Sequence, residues 1–302
     1  MKRVFCALAV LLAPAPALAH GVGIGSGGIG DVPGEVWLGL PLLLCGLLYL
    51  VGSVRLAARR RRGAAIGRRT LLFAGGWLLL ALPLGTALHD WGGTSFTAHM
   101  VEHEIIMVLA APLLALARPL GVLLWGLPDG LRRRLVRAGR HRLRGAWRRL
   151  TAPLTATAVQ AVVLWLWHVP VAFEAAVHVP VVHALQHVSF LTAAVLFWWS
   201  LSVGGVGRRG YGLGAFCQFL TALQSGLLGA LLTFSRTPWY PTYAAQTGGS
   251  LSPLEDQQLA GLVMWVPAGM VHAVGAFVLI ALWLNAAGKE RAGRTRDVLW
   301  AE

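Results

Sequence analysis

Charge is scarce in this chain. Only 13% of its 302 residues are Asp, Glu, Lys or Arg and the mean hydropathy is +0.65, whereas a soluble domain carries about 25% charged residues. So poor a supply of charge excludes an ordinary soluble surface and predicts an integral membrane protein. Cysteine is scarcer still, at three residues, none in CxxC or CxC spacing. That excludes a thiolate metal site or a dithiol redox centre, and nothing in the sequence pairs Cys45 with Cys217. Soft-metal chemistry, if present, falls to His and Met. No repeat of fixed period appears, so a single domain is the simplest organisation.

Long apolar runs are abundant. Lys2 and Arg3, the run Val4 to Leu12 and the triplet Ala17-Leu18-Ala19 read as a signal peptide over residues 1–19, with His20 as the first mature residue. A glycine-rich extracytoplasmic segment (20–35) follows. Seven stretches at about 36–57, 70–88, 97–117, 152–168, 181–202, 214–234 and 257–285 each approach the ~20 residues that span a bilayer. The expected fold is all-α, a polytopic membrane helix bundle of seven transmembrane helices after a cleaved signal peptide. Its transmembrane domain covers 36–285 and a basic cytoplasmic tail covers 286–302.

The cations orient the bundle. Of 26 Lys and Arg, two lie in the signal peptide, 23 lie in the segments 55–69, 118–149, 208–209 and 289–296, and Arg236 alone falls on the opposite side. The positive-inside rule then predicts a bacterial cytoplasmic (inner) membrane protein with its mature N-terminus outside and its C-terminus cytoplasmic. The net charge of +14 thus points to anionic lipid head groups and not to nucleic acid. Nine arginines from Arg132 to Arg149, interleaved with Leu135, Leu143 and Trp147, predict an amphipathic helix on the inner leaflet. Ser225 and Gly229 form a small-xxx-small pair for close helix approach, and a homo-oligomer stays open. Pro83, Pro112 and Pro267 sit inside spans, where each removes a backbone hydrogen bond.

Histidine is distributed one-sidedly. His99/His103 and His183/His187 are i,i+4 pairs in the outer parts of spans three and five, so each pair shares a helix face. His89 ends span two, His168 ends span four, and His178 lies in the following loop. Met107 continues the His99–His103 stripe, and Met264 lies two turns into span seven. Polar groups at such depth need partners and mark functional sites. Imidazole with thioether favours copper, whereas imidazole with the nearby carboxylates Glu102 and Glu104 also admits zinc or iron, and a metal site built from His99, His103, His183 and His187 is the sharp expectation. His89 and His168 serve as an outer relay, and Met107 or Met264 as soft ligands. His20 adds a candidate amino-terminal copper chelate. The bland alternative is inter-helix hydrogen bonding.

The segments HMVEHEIIMVLAAPLLALARP (99–119), WHVPVAFEAAVHVPVVHALQHVSFLTAAVLFWW (167–199) and DQQLAGLVMWVP (256–267) resemble the three signature regions of the multi-span CtaG cytochrome c oxidase assembly factors. The resemblance runs from about residue 70 to 285. It implies a non-enzymatic chaperone role in maturing a haem-copper terminal oxidase, with copper binding on the outer side and the oxidase subunits as partners. The positions that match the family pattern are His99, Met100, His103, Trp167, His168, His183, His187, Phe190, Asp256, Gln257, Gln258, Trp265 and Pro267. Asp256, Gln257 and Gln258 are expected as a polar cap at the start of span seven.

Three other functions fit the same sequence. A bis-histidine haem protein would use the same four residues for electron transfer. A copper permease would run through His272, Met264 and Met270, and a metal-free scaffold would hold the oxidase by its aromatics and basic loops.

Overall fold

The computed structural model describes residues 34–59, 64–84, 87–138, 143–204, 210–245 and 251–299, and every element among them is helical. The signal peptide and His20 lie outside the described residues.

Helices α1 (Gly34–Arg59), α2 (Ala64–Leu84) and α3 (Ala87–Gly92) lead to α4 (Phe96–Glu104), which runs through a π-helical turn, Ile105–Ala110, into α5 (Ala111–Ala117). Then come α6 (Leu120–Gly126), α7 (Asp129–Ala138), α8 (Leu143–Leu150), α9 (Pro153–His168), α10 (Pro170–His178) and α11 (Pro180–Trp199). The last are α12 (Tyr211–Thr233), the short α13 (Pro241–Ala244) and α14 (Pro253–Leu299). Among the described residues, five helices are long and apolar enough to cross a membrane: Gly39–Arg59, Phe96–Ala117, Pro180–Ser202, Tyr211–Thr233 and Pro253–Gly288. The pair α9 and α10 passes together as a span broken by a 74° bend. The stretch expected at 70–88 is the 21-residue α2, which carries Arg68 and Arg69 near its start.

Proline explains the breaks. A residue before proline is driven out of the α region, and Val169 (ψ 127°) and Val179 (ψ 108°) are extended ahead of Pro170 and Pro180. His178, expected in a loop, therefore ends a helix of its own. Pro112 has no N–H for the carbonyl four residues back. The chain answers with the π turn just upstream, where Ala111 N–H reaches Ile106 O, and π turns inside helices recur at functional sites. Trp198 Nε1 donates to Met107 O in that turn at 3.1 Å.

The arginine-rich segment forms two helices, α7 and α8. Trp147, expected on the lipid leaflet, is instead buried against Trp199 with ring centroids 6.2 Å apart. The expected tail from 286 continues α14 to Leu299.

The small-xxx-small pair meets α14 within the same chain. A Cβ on Gly229 would lie 2.7 Å from Gly261 O, and one on Gly261 2.5 Å from Gly229 O and from Thr233 Oγ1. Backbone sets that limit, so Gly261→Leu is expected to lower unfolding stability by ~3 kcal/mol, read as a lower thermal midpoint in detergent. Gly269→Leu, where an added Cβ meets nothing within 4 Å, leaves it unchanged.

Candidate metal centre

The two histidine pairs face each other. Ring centroids of His99 and His103 are 4.4 Å apart, and those of His183 and His187 are likewise 4.4 Å apart. Across the α4–α11 gap, His99 stacks on His183 at 5.3 Å and His103 meets His187 edge-on at 5.1 Å. Four imidazoles thus form a rectangle, with His99, His103 and His187 each under 5% exposed. Phe173 closes one end, 5.2 Å from His99, and Phe190 the other, 4.8 Å from His103.

The donor set fits a metal ion. Ligating atoms of His99, His103 and His183 lie within 4.8 Å of one another. Imidazole nitrogens bonded to one ion at ~2.1 Å are at most ~4.2 Å apart, so ring rotations of under an ångström bring them together. His103 makes the stronger point. Among the described residues neither of its buried ring nitrogens has a hydrogen-bond partner, a costly state for a polar group in an apolar interior unless a ligand takes the lone pair.

Surrounding groups set the tautomers. The Tyr243 hydroxyl donates to Gly92 O at 2.6 Å and lies 3.3 Å from His99 Nδ1. Its proton being committed to the carbonyl, the phenolic oxygen accepts from Nδ1–H, which leaves the His99 lone pair on Nε2. Burial, then the nearby Asp256, Glu174 and Glu102 carboxylates, push the Tyr243 phenol pKa up, so the hydroxyl keeps its proton. Glu102, 1% exposed, puts Oε1 3.8 Å from His187 Nδ1 and brings a carboxylate to the cluster.

The remaining expected residues divide. His168 is buried, but its Nδ1 donates to Leu164 O at 2.7 Å and its ring neighbours Phe190 at 6.4 Å, placing it behind that aromatic. Met107 and Met264 are buried in the large apolar core that also holds Phe96 and Phe190. His89 falls in α3, and its side chain lies outside the described residues. His272, deep in α14, donates from Nδ1 to Gln218 Oε1 at 2.7 Å and stacks on Trp198 at 5.5 Å.

Asp256, expected as a cap of its own helix, caps another one, while Ser252 and Glu255 bond each other at the start of α14. The Asp256 carboxylate accepts from Ser95 Oγ (2.9 Å), Phe96 N (2.6 Å) and Thr97 N (3.1 Å), fixing the N-terminus of α4, the helix that carries His99 and His103. Gln257 Oε1 accepts from Trp239 N at 2.6 Å, and Gln258 Nε2 donates to Ser235 O at 3.1 Å. These hold the loop that delivers Tyr240 and Tyr243. Tyr243 was not among the expected site residues. Its signal was faint: two of the chain's four tyrosines stand three apart between α12 and α14.

An all-helical bundle of membrane-spanning character, enclosing four histidines at one end, defines a membrane protein with a candidate metal centre. The family model described as cytochrome c oxidase caa3 assembly factor matches residues 47–286. The chain belongs to that family, as the three signature segments indicated. Two proteins named as uncharacterized, from Mycobacterium bovis and Mycobacterium tuberculosis, are each 25% identical over 266 residues, covering 83% of this chain and 39% of theirs. The chain thus spans about two fifths of the length of these curated relatives. No solved structure matches it.

Proposed function

We propose that this protein assists assembly of a haem-copper cytochrome c oxidase by holding copper in the His99, His103, His183, His187 cluster and passing it to an oxidase subunit. The observation that carries this reading is the rectangle of four imidazoles closed between α4 and α11. Neutral imidazoles bind copper firmly yet exchangeably, which suits cargo more than a resident cofactor, and no substrate turnover is involved. Glu102 offsets part of the ion's charge in a buried setting, while Met107 and Met264 stand in reserve as soft ligands. In this reading α2 is the seventh span, and the positive-inside arrangement puts the cluster on the outer side of a bacterial inner membrane, after removal of residues 1–19.

Packing favours an ion over haem. Two axial imidazoles must face each other across a whole macrocycle, whereas these four rings contact one another directly with Phe173 and Phe190 against them. A permeation path is also less apt, since His272 is engaged by Gln218 and Trp198.

The test is metal content and visible spectrum of the detergent-purified protein after copper loading. Near-stoichiometric copper without a Soret band is expected. A Soret band instead supports the haem protein, and no bound metal leaves a scaffold. Tyr243→Phe, which removes the group that orients His99, is expected to weaken copper about 10- to 100-fold in competition with a chromogenic Cu(I) chelator.

A further inference from the structure

At the arginine-rich end of the bundle, α1 and α6 are clamped together. Arg55 Nη1 donates to the carbonyls of Trp125 (3.1 Å), Gly126 (3.5 Å) and Leu127 (3.1 Å). A Cβ on Gly126 would collide with Leu48 O, so the two backbones touch. The clamp presents Trp125 as a fixed platform. The guanidinium of Arg132 lies 4.1 Å from its ring centroid and that of Arg59 5.0 Å away. Asp129 pairs with Arg132 at 2.8 Å, and the Arg132 side chain is only 18% exposed. These cations are held in place, unlike the loose arginines of a solvated rim.

Two cavities flank the platform. One, about 370 Å³, is lined by Arg55, Arg59, Trp125, Asp129 and Arg132, a formal charge of +2 from three arginines and one aspartate. Its neighbour, about 470 Å³, shares Trp125 and Arg132 and adds Arg133 and Arg137 beside Leu124 and Val136. Pre-placed guanidiniums are suited to phosphate oxygens, which they bind in bidentate fashion. Two adjoining cationic hollows suit two phosphates a short linker apart.

The apolar surroundings identify the source of those phosphates. Leu47, Leu50 and Val54, 58%, 60% and 62% exposed, form a stripe along α1 that ends at Arg55, where acyl chains would lie. A tryptophan at the end of an apolar span is the usual interfacial anchor, and basic pockets between spans bind anionic lipid head groups. We propose that the Trp125 platform binds an anionic phospholipid carrying two phosphates, one in each cavity. The inference rests on the membrane placement of the protein and is independent of copper.

Native mass spectrometry of the full-length protein in detergent tests it, titrating tetraoleoyl cardiolipin, dioleoyl phosphatidylglycerol and dioleoyl phosphatidylcholine. Cardiolipin is expected to bind most tightly. R59Q with R132Q is expected to weaken it about thirtyfold, from roughly five- to sixfold for each arginine. R133Q with R137Q reduces cardiolipin to the level of phosphatidylglycerol, since one phosphate site is gone. R134Q with R148Q, outside both cavities, removes the same charge and leaves binding unchanged. Elution as a monodisperse peak with an unaltered thermal midpoint in detergent shows that each variant is folded. Equal loss in all three double variants means general rim charge and overturns the proposal. Displacement by millimolar inorganic phosphate overturns it in favour of a soluble-anion site, and so does equal binding of phosphatidylcholine.

Discussion

His103→Ala combined with His187→Ala is expected to abolish near-stoichiometric copper binding, with affinity falling more than about 100-fold, and to leave cells with oxidase lacking its copper. The two residues sit on different helices 5.1 Å apart, so the double change takes a ligand from each side of the cluster. His103 is the sharper loss, because its ring nitrogens have no other partner among the described residues. Packing loss alone must be separated from ligand loss. Phe190→Leu removes a ring 4.8 Å from His103 without touching a nitrogen, and is expected to retain copper while lowering stability. Copper content by elemental analysis and oxidase activity of membranes are the measurements. Full oxidase activity with the double variant would sink the chaperone reading.

Asp256→Ala is expected to lower stability by ~3 kcal/mol and to weaken copper along with it. Three donors from Ser95, Phe96 and Thr97 converge on this carboxylate. Hydrogen bonds to charged groups are each worth about 1.5–3 kcal/mol, and an acid at a helix N-terminus gains from the dipole as well. Because α4 begins there, loss of the cap frays the turn that bears His99, and His103 follows one turn later. Asp256→Asn keeps an acceptor oxygen and is expected to recover about half the loss. Thermal unfolding in detergent alongside chelator competition reads both effects. If Asp256 were itself a ligand, copper binding would collapse in the Asn variant while the unfolding midpoint held.

Much of this protein was legible from local pattern. Apolar runs of about twenty residues mark α1, α4–α5, α11, α12 and α14 because a span must satisfy its own backbone and face lipid. The i,i+4 spacing of His99/His103 and His183/His187 put each pair on one face, since helix geometry is set over a single turn. Proline was legible only in part: Pro112 does perturb its span, but whether it gives a kink or a π turn depends on what meets the carbonyls it orphans, here the Trp198 indole, while Pro267 lies inside an unbroken α14 and the breaks fall before Pro170 and Pro180.

Other features required the packed bundle. That the two pairs meet is a property of the α4–α11 contact. Asp256 and Ser95, 161 residues apart, and Tyr243 and His99, 144 apart, are joined only by folding. A carboxylate beginning a helix reads as that helix's own cap, because sequence shows neighbours along the chain and not across the bundle. The burial of Trp147 against Trp199 has the same origin: amphipathic spacing marks an apolar face, and only the tertiary arrangement selects protein over lipid to cover it.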